Sequence, residues 1–244
     1  VILKKIFILL AFVCSLFSLD FAPKVFEGKL LRVNEKDGTA VVSSGADVMV
    51  GSYGVVRRTF SDKSTSIVAS AQVISKDGNE ATVKLGDYKL TEQKALPSLK
   101  EAAKVGDEVL LNLNYDTALI VAPNEQAYQK AVADFPNIKF IHPDIFAGYL
   151  YTDYEPRPEH EQFLRSCHQS IAGLVYFVLD GESFFVDCES FAILKRFESA
   201  KVAKEEAQVP FYSHVTRVPS VFFDRDSKQI KDFSRYYLDL LTKD

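Results

Sequence analysis

Twice in the first third of the chain a run of β-branched residues stops at Lys-Asp-Gly and resumes, which confines that stretch to paired strands. Val33-Asn34-Glu35-Lys36-Asp37-Gly38 leads into Thr39-Ala40-Val41-Val42, and Val73-Ile74-Ser75-Lys76-Asp77-Gly78 leads into Glu80-Ala81-Thr82-Val83. Asp-Gly between such runs is a hairpin signal, because turn positions must tolerate positive φ. Val50-Gly51 and Val105-Gly106 each introduce a further strand. Strands are expected at 25–33, 39–43, 53–60, 66–75, 80–85 and 108–113. Two hairpins, each followed by a Val-Gly strand, predict a small antiparallel β-barrel over 24–113 with approximate two-fold internal repetition. None of these glycines sits in a Gly-rich loop between a strand and a helix, so they read as turn geometry and not as a nucleotide fingerprint.

Beyond a boundary near Asn114 the periodicity changes. Residues 90–103, broken by Pro97, read as a loop and short helix crossing the barrel. Residues 117–121 form a compact apolar strand. Asn124 can cap a helix reaching Phe135, with Ala127, Tyr128, Ala131 and Phe135 at helical spacing. A strand at 139–141, a helix at 159–171 and an apolar strand at 174–179 follow. Asp180-Gly181 turns that strand back into 183–187. A last strand at 221–223 and a C-terminal helix at 227–241 complete an α/β domain over 115–244 with a mixed sheet. The fold class is therefore mixed α+β.

The N-terminus has the order of a secretory signal over 1–18. Lys4 and Lys5 precede an uncharged apolar run at 6–13, small residues such as Ser15 and Ser18 follow, and the next charge is Asp20. That run is short for a bilayer span of about 20 residues and suits a cleaved signal. Cleavage is expected after Ser18, with Ala22 as the alternative. Val13 stands before Cys14 where a lipoprotein signal wants a small residue, which disfavours a lipid anchor. No later segment is apolar enough to span a membrane, so the product is expected to be exported, to the periplasm or the outer-membrane surface. The net charge of −4 argues against nucleic acid as a partner, because phosphate neutralisation needs clustered Lys and Arg. Arg57-Arg58 and Lys195-Arg196 read as solvated element ends. Of three cysteines, Cys167 and Cys188 remain after the signal. In an oxidising compartment the pair reads first as a disulfide, with two separate buried thiols as the alternative.

Catalytic and metal patterns are weak. His160-Glu161 begins like a zincin helix but lacks the second histidine. His160 and His168 lie about 12 Å apart along a helix, too far for one metal. Cys167 and His168 diverge by about 100° as helical neighbours. No Gly-x-Ser-x-Gly occurs. Asp187 and Glu189 would share a strand face, read as the solvated one. No catalytic, cofactor or metal residue is assigned, and the chain is expected not to be an enzyme. The segment from Tyr149 to Pro158 carries Tyr149, Tyr151 and Tyr154 with two prolines. It reads as an extended loop, serving either as a partner-binding surface or packed by its own tyrosines.

Val25-Phe26-Glu27-Gly28-Lys29-Leu30 and Val50-Gly51-Ser52-Tyr53-Gly54-Val55-Val56 resemble the N-terminal domain of the plasminogen-binding protein family of Helicobacter- and Campylobacter-like bacteria. The likeness runs over most of the mature chain. It implies a cell-envelope protein that recruits host plasminogen, with binding attributed largely to a C-terminal lysine. The sequence here closes Lys243-Asp244, so Lys243 is the candidate with its carboxylate displaced by one residue. The competing expectation is a periplasmic scaffold of an envelope assembly, such as a flagellar accessory ring.

Overall fold

The computed structural model describes residues 21–88, 102–215, 218–220 and 229–243. The expected signal at 1–18, most of the crossing segment at 90–103 and the strand at 221–223 lie outside the described residues.

Six strands close the barrel: β1 (Phe26–Asn34), β2 (Thr39–Ser43), β3 (Tyr53–Thr59), β4 (Thr65–Asp77), β5 (Glu80–Gly86) and β6 (Glu108–Leu111). They run β1-β2-β5-β4-β3-β6 around the ring, every neighbour antiparallel. Alternation along the strands sends Leu30, Val42, Val56, Val73, Val83, Val109 and Leu111 inward to a single core.

The internal repetition is geometric as well as sequential. Exchanging β1, β2 and β3 for β4, β5 and β6 leaves every neighbour relation in the ring unchanged. Leu30 pairs with Val42 and Val73 with Val83, and each pair is followed by a bulge at an exposed residue, Leu31 or Ile74. The Gly51 N–H donates to the Val73 carbonyl at 2.8 Å, and the Gly106 N–H to the Leu30 carbonyl at 2.9 Å. The two glycines share one left-handed conformation, φ +93° and +91°. The hairpins differ in detail, since four residues lie between Asn34 and Thr39 but two between Asp77 and Glu80. In both, the positive φ falls on the glycine, +61° at Gly38 and +56° at Gly78.

The second half is a five-stranded mixed sheet in the order β11-β10-β9-β7-β8. Its elements are β7 (Thr117–Val121), α1 (Glu125–Asp134), β8 (Lys139–Ile141), α2 (Pro143–Asp153), α3 (His160–Ser170), β9 (Leu174–Val178), β10 (Glu182–Asp187), β11 (Ile193–Glu198) and α4 (Phe233–Thr242). β7 runs parallel to β8 and β9, while β10 runs antiparallel to both of its neighbours, β9 and β11. Each sheet face has its own core. Phe135, which caps the end of α1, packs one side with Tyr176 and Phe185. Phe146, Phe163 and Tyr237, from α2, α3 and α4, pack the other with Phe177.

Asn124 caps α1 as its sequence implies, accepting from the Ala127 N–H at 2.9 Å. The tyrosine segment departs from expectation. It is not an extended loop up to Tyr154, because α2 carries Tyr149 and Tyr151 and ends on Tyr154 in the left-handed conformation, φ +58°. His142 followed by Pro143 is the start signal, since proline at the first helical position loses no hydrogen bond. The arginine pair departs too. The Arg58 side chain is only 12% exposed and grips both oxygens of Asp107, at 2.9 and 2.7 Å.

Candidate partner-binding face and a histidine cluster

α4 buries Phe233 and Tyr237 and is capped by Asp232, whose carboxylate accepts from the Arg235 N–H at 3.1 Å. The hydroxyls of Tyr236 and Tyr237 donate to the carbonyls of Pro158 and Pro210, at 2.9 and 2.8 Å. The first bond ties the helix to the segment that follows α2 and the second to the segment that follows β11, and the Arg157 guanidinium lies 4.9 Å from the Tyr236 ring centre. The last turn of α4 thereby edges a shallow depression of about 60 Å³, lined by Arg157, Glu159, Tyr236, Asp239, Leu240 and Lys243. Ligand cavities for small molecules are several times larger, so this is a contact surface rather than a binding cavity.

Lys243 is exposed there, one turn beyond an exposed Asp239. Tyr151 and Tyr154 are also open to solvent, at 52% and 53%. Tyr149 is not part of such a face: it packs against the α2–α3 core, with the Arg165 guanidinium 5.6 Å from its ring centre. Of the residues expected to meet a partner, Lys243 thus lies with Arg157 and Glu159 rather than among the tyrosines. Among the described residues no helix is long and apolar enough to cross a membrane.

Asp187 is not on a solvated face. It is buried where the sheet meets the barrel and accepts from the Tyr115 hydroxyl at 2.6 Å, the Ser190 N–H at 2.6 Å and the Glu189 N–H at 2.9 Å. The Tyr115 hydroxyl in turn accepts from the Tyr53 N–H at 3.3 Å, and the Ser190 hydroxyl donates to the Gly51 carbonyl at 2.6 Å. One carboxylate therefore organises both sides of the junction. Burial pushes its pKa from 3.8 up to about 6, against the opposing pull of its hydrogen-bond donors. A carboxyl raised on folding binds more protons folded than unfolded, so its linkage favours the fold at low pH. That contribution is full below 3.8 and lost as pH rises through about 6, a swing of about 3 kcal/mol. Asp187→Asn is therefore expected to flatten the rise in stability between pH 6.5 and 4. Urea midpoints at the two pH values check this, and equal slopes in variant and parent would refute it.

The histidines sort into separate environments. His160 lies against Phe191 with ring centres 4.5 Å apart, and burial lowers its pKa. His168 meets Glu189 at 2.5 Å. The sequence reading missed a different group: His142, Asp144 and His214, whose ligand atoms all lie within 4.8 Å of one another. Asp144 Oδ2 is 2.9 Å from His214 Nδ1 and 3.5 Å from His142 Nδ1, and Asp144 Oδ1 accepts from the His214 N–H at 2.7 Å. His214 is seventy residues from Asp144, so no local spacing could announce the group.

Cys167 and Cys188 are disulfide-bonded, joining α3 to the residue after β10. Comparison with known proteins covers both halves of the architecture. The family model for the plasminogen-binding protein pgbA N-terminal region matches residues 26–241, from the first barrel strand into α4. Two curated relatives, both plasminogen-binding protein PgbA of Helicobacter pylori (strains J99 and 26695), are 26% identical over 200 residues. The matched region is 81% of this chain but 44% and 43% of the relatives, so the chain spans less than half their length. Barrel, mixed sheet and C-terminal helix together thus fall within one family match, and the chain belongs to the plasminogen-binding protein pgbA N-terminal family.

Proposed function

We propose that this chain is an exported, non-enzymatic protein of the cell envelope that recruits plasminogen through charged side chains at the end of α4. The observation that carries the reading is the family match across 26–241, together with relatives named for plasminogen binding. The surface chemistry is compatible with it. A lysine-binding kringle pocket offers carboxylates to an ammonium and cations to a carboxylate. Lys243 and Asp239 present one exposed cation and one exposed anion a helical turn apart. Asp239 is held only loosely, by Arg235 at 3.9 Å with both side chains largely solvated, so its charge is open to a partner.

Surface plasmon resonance on purified chain and plasminogen tests the reading. Binding is expected to be competed by a lysine analogue and to weaken at least about tenfold, or 1.4 kcal/mol, in Lys243→Ala with Asp239→Asn. Analogue-sensitive binding that survives both changes would move the site to internal lysines. No binding at all would sink the recruitment role and favour a periplasmic scaffold.

A further inference from the structure

We propose that His142, Asp144 and His214 form a binding site for a divalent transition-metal ion of the zinc class. Two imidazoles and one carboxylate are a common zinc donor set, leaving a fourth position for water or an incoming ligand.

The fold brings these donors together by its topology. His142 immediately follows β8, and Asp144 opens the first turn of α2. His214 comes from a distant segment pinned over the end of the neighbouring strand. The Tyr212 N–H donates to the Ala122 carbonyl at 2.8 Å, and the Gln208 N–H to the Pro123 carbonyl at 2.7 Å. The cluster therefore stands at the carboxyl ends of the parallel strands β7 and β8, where α/β sheets collect their ligand sites.

The spacing is close to what an ion needs. Donors about 2.0–2.1 Å from a tetrahedral zinc lie roughly 3.3 Å from one another. Two separations here are 2.9 and 3.5 Å, and the third lies within 4.8 Å. The imidazole rings now lie nearly parallel, 9° apart with centres 5.6 Å apart. Ligation turns them so that a nitrogen lone pair of each points at the ion. Side-chain exposures of 67% for His214 and 41% for His142 leave room for that rotation and for entry of the ion.

The surrounding groups fit the assignment. The Tyr212 hydroxyl is 3.4 Å from His214 Nε2, a partner that leaves Nδ1 for the cluster. The His214 backbone N–H holds one Asp144 oxygen and aims the other at the two rings. His142 Nδ1 accepts the Asp144 N–H at 3.3 Å, a long bond that ligation through that nitrogen replaces.

Tag-free full chain, stripped with chelator and dialysed into metal-free buffer, is titrated with Zn²⁺ by calorimetry and with Co²⁺ by visible absorption. One equivalent of Zn²⁺ is expected to bind with a Kd of roughly 1 µM or tighter, and Co²⁺ to show the intense d–d bands of a tetrahedral site. His142→Gln, Asp144→Asn and His214→Gln are each expected to weaken Zn²⁺ binding at least tenfold, while His160→Gln and His168→Gln leave it unchanged. Unaltered melting temperatures of the metal-free variants show that each remains folded. Absence of stoichiometric binding, or equal affinity in a His142→Gln/His214→Gln double variant, overturns the site.

Discussion

Gly54→Ala is expected to cost at least about 4 kcal/mol, the range reserved for substitutions that break a named structural feature. A Cβ at this position would lie 1.9 Å from the Leu110 carbonyl oxygen and 2.8 Å from Leu111 Cα. Both are backbone atoms of β6, so no side chain can rotate away to relieve the overlap. Gly54 pairs with Leu111 in the β3–β6 ladder, part of the ring of pairings that closes the barrel. Separating those strands exposes ladder hydrogen bonds and uncovers Val56, Val109 and Leu111. Gly148 in α2 supplies the opposite case, because nothing lies within 4 Å of a Cβ there. Gly148→Ala is expected to stabilise the protein by about 0.5–1 kcal/mol through helix propensity. Urea denaturation followed by circular dichroism measures both changes. A Gly54→Ala midpoint equal to that of the parent would refute the packing argument.

Two other glycines show what was legible in the sequence. The barrel could be read because each device that builds it is local: β-branched alternation, Asp-Gly turns and the Val-Gly step before β3 and β6. Even its two-fold repetition was legible, since equivalent residues recur in equivalent turns. The use made of the repeat was not. Gly51 sits against the sheet, where a Cβ would come 2.5 Å from that of Ala192, whereas its counterpart Gly106 has nothing within 4 Å. One Val-Gly turn is a docking point and the other is not, and only tertiary structure distinguishes them.

The misses follow from the same physics. α2 was hidden by Pro156 and Pro158, which govern the chain after the helix rather than within it. β11 was hidden because Lys195 and Arg196 lie on an edge strand with solvated positions, where apolar alternation is weak. Asp187 was misplaced because strand alternation assigns a face without revealing that the barrel covers it. Tyr115 is the partner that makes its burial tolerable, and it lies seventy-two residues away. The histidine cluster failed to register for a similar reason. Metal-site spacing rules work within a helix or hairpin, while here the topology of parallel strands does the gathering.

Removing the disulfide is expected to lower stability by about 3 kcal/mol, the chain-entropy value for a closed loop of this size. Cys167 and Cys188 are separated by 21 in sequence, and the bond limits how far α3 and the end of β10 can diverge in the unfolded chain. Both sulfurs are buried, so the test uses Cys167→Ala with Cys188→Ala rather than serines, whose hydroxyls would need new partners. The effect should not spread evenly. Residues 188–192 make the junction: Ser190 reaches the Gly51 carbonyl, Glu189 meets His168, and Phe191 packs on His160 with φ +56°. With the bond gone, that loop keeps its hydrogen bonds to Asp187 but loses its covalent tie to α3. Hydrogen exchange is therefore expected to quicken first at Glu189–Ala192 and at the facing Gly51 turn, while the barrel ladders between β4 and β5 stay protected. A uniform loss of protection would instead mean that the bond acts only by restricting the unfolded chain, with no separate role in holding the barrel to the sheet.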